Sequence, residues 1–208
     1  MSDSTNELKL NEYYDEILEN ININNKTITS KEFDNCTFKN CSFNETVLKN
    51  CKFTECIFEN CDLSLLKIQG SVFNDIKILD SKAIGINWTM FSNPFEISFT
   101  NSDISMCSFY NMELRRTNII NCKAYDVDFA KSNLEKANFK DTNLLGSIFG
   151  DTNLKNTDLT NALNYMIDPN KNYIKGTKIS MPQVYNILYT QLLANSIYSE
   201  SVQNSTNI

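Results

Sequence analysis

Seven cysteines and two neighbouring aspartates are the side chains of this sequence that could do chemistry. Asp126 and Asp128 flank Val127, and a pair of carboxylates can act as general acid and base. The thiols could bind zinc or form disulfides, although the sequence has no Cys-x-x-Cys pair. The chain contains no histidine, which excludes the Ser-His-Asp and Cys-His mechanisms. We therefore expect a protein that is not an enzyme and needs no cofactor.

The spacing of the cysteines favours a structural role. Each stands two positions before the centre of a five-residue repeat, and that centre is in most cases a large apolar residue. The seven are Cys36, Cys41, Cys51, Cys56, Cys61, Cys107 and Cys122. We expect buried, inert thiols that fill a slot for small side chains, and that stay reduced in a reducing compartment. A zinc or disulfide role is the alternative.

The five-residue period fits neither common secondary structure. On a helix, steps of five residues spiral around the axis, and on a straight strand an odd period sends successive centres to opposite faces. A chain that bends once per repeat keeps every centre pointing inward. Asparagine, which tolerates turn conformations, often follows the centre by two positions, at the corner. The predicted inward centres include Phe33, Phe38, Phe43, Phe53, Phe58, Phe73, Phe99, Phe109, Phe129, Phe139 and Phe149.

This repeat resembles the pentapeptide repeat family, whose loose motif is a small residue, Asn or Asp, Leu or Phe, and two variable residues. The second half of the chain matches it best, from Ser132 to Asn161: SNLEK, ANFKD, TNLLG, SIFGD, TNLKN and TDLTN. The resemblance implies a right-handed quadrilateral β-helix with four repeats per coil. We predict an all-β solenoid of this kind with a short α-helix at each end.

The solenoid is predicted to occupy residues 23–179. Residues 1–22 are predicted to form a capping helix, because the apolar residues from Leu10 to Ile21 recur at helical spacing. Two repeat blocks are separated by a register break at 83–96, where the centres shift by one residue. An insertion of one residue must be absorbed by a bulge or a loop.

The break contains the only tryptophan of the chain, Trp88, together with Phe91 and Phe95. These aromatic residues form either a packed hinge between the blocks or a contact surface for a partner.

A C-terminal helix is predicted over residues 180–198, followed by a flexible tail over 199–208. Its apolar face consists of Met181, Val184, Tyr185, Leu188 and Leu192. The layout resembles bacterial quinolone-resistance pentapeptide repeat proteins, in which the terminal helix joins two rods. The resemblance therefore implies a homodimer through this helix.

The same resemblance implies a function: a rod that mimics duplex DNA, binds DNA gyrase or topoisomerase IV, and protects the enzyme from quinolones. The net charge of −6 is compatible with this, but residues 31–161 carry 17 acidic and 14 basic side chains, a nearly balanced set. The alternative is a scaffold module that binds another protein and lacks topoisomerase activity. The first hypothesis predicts an acidic stripe on one face of the rod, and the second predicts an apolar patch at the hinge.

Three further expectations follow from the sequence. Arg115 and Arg116, the only arginines, are expected at a solvated corner rather than at an anion site. We expect no direct binding of nucleic acid. The sequence has no run of 18 apolar residues and no charged-then-apolar leader after Met1, so a cytoplasmic protein without a membrane span is expected.

Overall fold

The computed structural model describes residues 8–90 and 95–180, with Phe95 described by its backbone alone. The chain winds into a right-handed, four-sided β-helix of about eight turns. We call each turn a coil and its sides faces 1 to 4; in the first coil their centres are Tyr13, Leu18, Ile23 and Ile28. Residues 20 apart pair in parallel, as Phe33 does with Phe53. Four repeats of five residues therefore complete one coil.

The corners explain how so few glycines can build this chain. The residue two positions after a centre has a positive φ, near 50° at Asn35, Asn50 and Asn60. Asparagine and aspartate adopt this left-handed conformation more readily than branched residues. Several corner side chains also form ladders, in which the Asn60 amide donates to the Asn40 side-chain oxygen at 2.6 Å.

The strands are short because each side of a coil is short. Their bounds are β1 Glu12–Tyr14, β2 Ile17–Glu19, β3 Thr27–Thr29, β4 Glu32–Asp34, β5 Thr37–Lys39, β6 Val47–Lys49, β7 Lys52–Thr54, β8 Ile57–Glu59, β9 Lys67–Gln69, β10 Val72–Leu79, β11 Phe95–Thr100, β12 Ile119–Ile120, β13 Asp158–Leu159 and β14 Lys178–Ile179. A 3-10 helix spans Trp88–Met90. Strand β10 covers faces 1 and 2, and so joins the strands of both faces into one nine-stranded sheet. Face 4 holds the three-stranded sheet β3-β6-β9, and isolated parallel bridges connect the coils of face 3.

The core is a column of centres inside the rod, and every phenylalanine predicted to point inward is buried. On face 1 the rings of Phe33 and Phe53 stack with centroids 4.8 Å apart, and those of Phe53 and Phe73 repeat this distance. Burying one such side chain stabilises the fold by roughly 1.5 to 3 kcal/mol. Stacking from coil to coil therefore supplies the core that a thin rod otherwise lacks.

The predicted N-terminal helix is wrong for the residues that the structure describes. Glu12–Tyr14 and Ile17–Glu19 are strands that pair with Glu32–Asp34 and Thr37–Lys39 of the next coil. The apolar residues between Leu10 and Ile21 satisfied the helical spacing, but Tyr13 and Leu18 are also five residues apart. Pairing with the second coil decides between the two patterns, because it satisfies the backbone groups and packs Tyr13 on Phe33, with centroids 5.0 Å apart.

The rod changes register once, where an extra residue enters. In the earlier coils partners lie 20 apart, as Asp62 and Lys82 do. Across the register change Phe73 pairs with Phe95, 22 apart, and the pairs from Ile76–Ile97 to Asn87–Ser108 are 21 apart. The pairing of β10 with β11 is irregular between Phe73 and Ile76, as expected of a bulge. The coils continue on both sides of this irregularity.

Candidate functional site

Trp88 is not a contact surface, contrary to one of the two sequence hypotheses. Its side chain is 0% exposed and lies at the centre of face 4, stacked on Phe109 with centroids 6.0 Å apart. Phe73 and Phe99 pack against it edge to face. Trp88 lies 20 residues after the centre Ile68, and this spacing could have identified it as an inward centre.

The other predicted contact residues are not placed by the structure. Phe91 lies outside the described residues, and for Phe95 the structure gives only its backbone pairing with Phe73. The predicted dimer helix, with Met181, Val184, Tyr185, Leu188 and Leu192, also lies outside the described residues, as does the tail over 199–208.

The seven cysteines are free thiols in the buried small-residue slot. The Sγ of Cys56 donates to the Phe33 carbonyl at 3.5 Å. Burial raises the pKa of Cys56 to about 12 and the pKa of Cys107 and of Cys122 to about 11. A hydrogen bond with Cys41 and burial together raise the pKa of Cys61. The same hydrogen bond lowers the pKa of Cys41. Cys56, Cys61, Cys107 and Cys122 remain protonated at neutral pH, and these four thiols are therefore poor nucleophiles and poor metal ligands.

Asp126 and Asp128 do not form a catalytic pair in a cleft. They flank the buried Val127, and the Asp128 carboxylate accepts a hydrogen bond from the backbone N–H of Ala130 at 2.9 Å. The Oδ1 of Asp126 fills the space where a Cβ of residue 146 would lie, which explains why glycine occupies that corner. Both aspartates serve the turns of the coil.

Face 1 carries an acidic surface on its first four coils. Its outward positions there hold six carboxylates and one lysine, Lys52. We call the carboxylates the acidic half of face 1: Glu12, Asp15, Glu32, Asp34, Glu55 and Asp75. Lys52 lies 3.9 Å from Glu32, a pair that water screens because both side chains are about half exposed. Among the described residues, Glu32 is the only one of these six carboxylates in an ion pair, so most of the negative charge of this surface is not neutralised there.

The sign reverses on the later coils of the same face. Their outward positions hold Arg115, Arg116, Lys136, Lys155 and Lys175, with Glu113 and Glu135 among them. Arg115 and Lys155 bind opposite oxygens of Glu135 at 3.0 and 3.2 Å, and the Lys155 hydrogen bond lowers the pKa of this carboxyl. Arg115 is thus engaged in an ion pair, while Arg116 occupies an exposed corner.

An apolar groove of about 400 Å³ lies beside the register change, on faces 3 and 4. Its lining includes Leu65, Gly85 and Met90, and the side chains of Leu65 and Met90 are exposed. A Cβ on residue 85 would come within 2.8 Å of Leu65, so the glycine keeps this part of the groove open. We call it the hinge groove.

Further along the same two faces, large apolar side chains collect on the surface. We call this set the C-terminal ridge: Met106, Tyr110, Leu145, Ile148, Leu163 and Met166, which are 42% to 72% exposed. Neither the ridge nor the location of an acidic surface on face 1 was predicted from the sequence. Once the five-residue period is known, apolar residues at outward or corner positions indicate the ridge. To assign the charged residues to one face, the length of the coil, 20 residues, must also be known.

Comparison with known proteins gives the following similarities. Two stretches, residues 32–65 and 125–161, match the family model described as pentapeptide repeats, with eight copies in total. A trypsin-treated variant of QnrB1, a plasmid-mediated fluoroquinolone resistance protein, is similar in structure with a TM-score of 0.59 and 19% identity, over 86% of this chain and 97% of that chain. HetL, a pentapeptide repeat protein involved in heterocyst differentiation regulation from the cyanobacterium Nostoc, has a TM-score of 0.35 and 15% identity, over 79% and 87%. No curated protein matches the sequence.

Within the described residues, no helix has the length and apolar character needed to cross a membrane.

Proposed function

We propose that this chain, of which residues 32–65 and 125–161 match the model of pentapeptide repeats, is a non-enzymatic, protein-binding rod that takes the place of duplex DNA on a type II topoisomerase. The partner would be DNA gyrase or topoisomerase IV, and the consequence would be protection from quinolones. The description of QnrB1 as a fluoroquinolone resistance protein motivates the choice of target.

The observation that carries this proposal is the acidic half of face 1. Six carboxylates lie on four coils that are stacked about 4.8 Å apart, so they form a linear array of negative charge. A surface that binds DNA neutralises a similar array of phosphates, and most of its affinity comes from this electrostatic contribution. The acidic half spans only part of the rod, which limits the mimicry to roughly half a turn of DNA.

The test is a gyrase supercoiling assay with and without a quinolone. In the test variant, amides replace four carboxylates of the acidic half: Glu12→Gln, Glu32→Gln, Asp34→Asn and Glu55→Gln. In the control variant the same net charge is removed from other faces: Glu19→Gln, Glu45→Gln, Glu59→Gln and Asp151→Asn.

We expect the unaltered protein to inhibit or protect gyrase at low micromolar concentration. The test variant should lose at least tenfold in potency, and raising the salt from 50 to 200 mM should weaken the effect. Equal loss in both variants would show that total charge, rather than face 1, matters. No effect of the unaltered protein at high concentration would reject the topoisomerase proposal.

A scaffold module is the second candidate, and the hinge groove favours it. Exposed apolar side chains such as Leu65 and Met90 beside a groove are typical of a surface that contacts another protein. A Met90→Glu substitution should abolish binding of such a partner, while Met166→Glu, elsewhere on the surface, should not. Proteins retained by the unaltered chain and by the second variant but not by the first would identify the partner.

A further inference from the structure

The C-terminal ridge leaves six large apolar side chains exposed on the later coils of the rod. Leu145 lies beside the corner between faces 3 and 4, and Ile148 lies on the other side of that corner. Met106 occupies the same corner two coils earlier, since its N–H donates to the Tyr125 carbonyl and the N–H of Asp126 donates to the Leu145 carbonyl. The ridge therefore follows the rod axis rather than encircling it. The coil between Met106 and Leu145 places the exposed Asp126 at this corner, so apolar side chains lie on both sides of one carboxylate. Exposed apolar side chains collected in this way mark a site of contact.

The chain itself provides a segment that needs such a surface. Residues 181–199 contain no Asp, Glu, Lys or Arg, although 21% of all residues of the protein are charged. Apolar residues recur within this segment at helical spacing, from Met181 to Leu192. A helix with an apolar face and no charges gains most of its stability by packing that face against another apolar surface.

The geometry brings the segment to the ridge. The last described residue, Ser180, follows Ile179 on face 2, and its Oγ accepts a hydrogen bond from the backbone N–H of Asn161 at 2.7 Å. The next corner leads to face 3, where Leu163 pairs with Asn143. From this end of the rod back to Met106 is about four coils, or roughly 19 Å.

The length of the segment agrees with this distance. A helix from Met181 to Leu192 is roughly 17 Å long at 1.5 Å per residue. We propose that residues 181–198 fold back along faces 3 and 4 of their own rod and pack on the C-terminal ridge. This packing covers the apolar side chains that the coils leave exposed, and it does not depend on the function proposed above.

Hydrogen exchange of the full-length protein tests this packing. We expect backbone amides within residues 184–193 to exchange at least tenfold more slowly than those of an unstructured peptide, equally at 1 and at 50 µM protein. The double variant Met106→Lys, Leu145→Lys should lose this protection. The control variant Tyr14→Lys, Ile17→Lys replaces equally exposed apolar residues on the first coil and should retain it.

The melting temperature of the rod checks that each variant folds, and exchange of the core amides of face 2 provides a second check. Absence of protection in the unaltered protein, or protection that survives the ridge substitutions, would overturn the proposal. Protection that increases with protein concentration would assign the segment to a second copy of the chain and would likewise overturn it. Protection that is independent of concentration and lost only in the ridge variant supports it.

Discussion

Between residues 36 and 61 the small inward slot of the rod is filled mostly by thiols, whereas after residue 131 it is filled mostly by hydroxyls. Both donate to a carbonyl 23 residues earlier: the Sγ of Cys56 to Phe33 at 3.5 Å, and the Oγ1 of Thr142 to Ile119 at 2.7 Å. The coil thus accepts either donor in the same position. Hydroxyl hydrogen bonds are stronger than those of thiols, so the two halves cannot draw equal stability from this slot.

The half with the weaker donors has its aromatic column on face 1, with the shorter stacking distances. On face 1 the rings of Tyr13, Phe33, Phe53 and Phe73 stack from coil to coil at 4.8 to 5.0 Å. In the later half the stacked column lies on face 4, where Trp88, Phe109, Phe129 and Phe149 follow one another at 5.4 to 6.0 Å, while Phe139 on face 2 meets Phe129 only edge to face. Both halves therefore stack rings from coil to coil, but on different faces and at different distances.

The largest expected effect tests the aromatic column. Phe53→Ala should destabilise the protein by about 5 kcal/mol and Phe139→Ala by about 3 kcal/mol, because Phe53 loses stacked rings on both sides. Urea unfolding followed by circular dichroism measures both. Equal losses would contradict the difference between the halves, and an unchanged melting temperature in either variant would contradict the inward position of the centres.

A second test uses the pKa of the thiols. Burial raises the pKa of Cys56 from 9.0 to about 12, so the folded state holds this proton more tightly than the unfolded state. The resulting stability is complete below pH 9 and is lost as the pH rises toward 12, by about 1.4 kcal/mol per pH unit for one thiol. Melting temperatures between pH 7 and 10.5 should therefore fall less steeply in Cys56→Ala.

The control for this pH dependence is Ser71→Ala. Ser71 fills the small inward slot before Phe73, on the coil that follows the coil of Cys56. Its side chain is buried, and its hydroxyl does not titrate in this pH range. Its variant should keep the slope of the unaltered protein, and a reduced slope in both variants would mean that the thiol is not responsible.

A smaller effect tests the hydroxyls of the later half. The Oγ1 of Thr142 also accepts a hydrogen bond from the backbone N–H of Cys122 at 3.2 Å, in a fully buried position. Thr142→Val should cost about 1 to 3 kcal/mol, since it leaves two backbone groups unpaired. Thr142→Cys retains a weak donor and should cost less. The midpoints of denaturant unfolding measure the stability of both variants. If Thr142→Cys were less stable than Thr142→Val, a thiol could not replace the hydroxyl as a donor in this slot.

The smallest effect concerns the last coils. The buried hydroxyl of Tyr165 makes no hydrogen bond to the described residues, and burial raises the pKa of this phenol to about 12. Tyr165→Phe removes a polar group that is buried without a partner, so we expect stability to rise by up to about 1 kcal/mol. Calorimetry measures the shift. A loss of stability would indicate a partner for this hydroxyl outside the described residues.

The amino-acid sequence is sufficient to define the repeat and the direction of its side chains. A period of five requires one bend per repeat, and an asparagine such as Asn35 or Asn60 can adopt the positive φ of the corner without help from distant residues. The alternation of bulky and small residues likewise indicates which side chains point inward, because those two positions lie on the same face of a short strand.

The arrangement of the repeats in space depends on contacts between coils. Tyr13 and Leu18 satisfied a helix and a coil equally well, and pairing with the second coil selected the strand. The position of Trp88 depended on where the extra residue of the register change entered. The acidic half of face 1 and the C-terminal ridge combine residues 20 or more positions apart. They become surfaces only when stacked coils bring those residues within about 5 Å of each other.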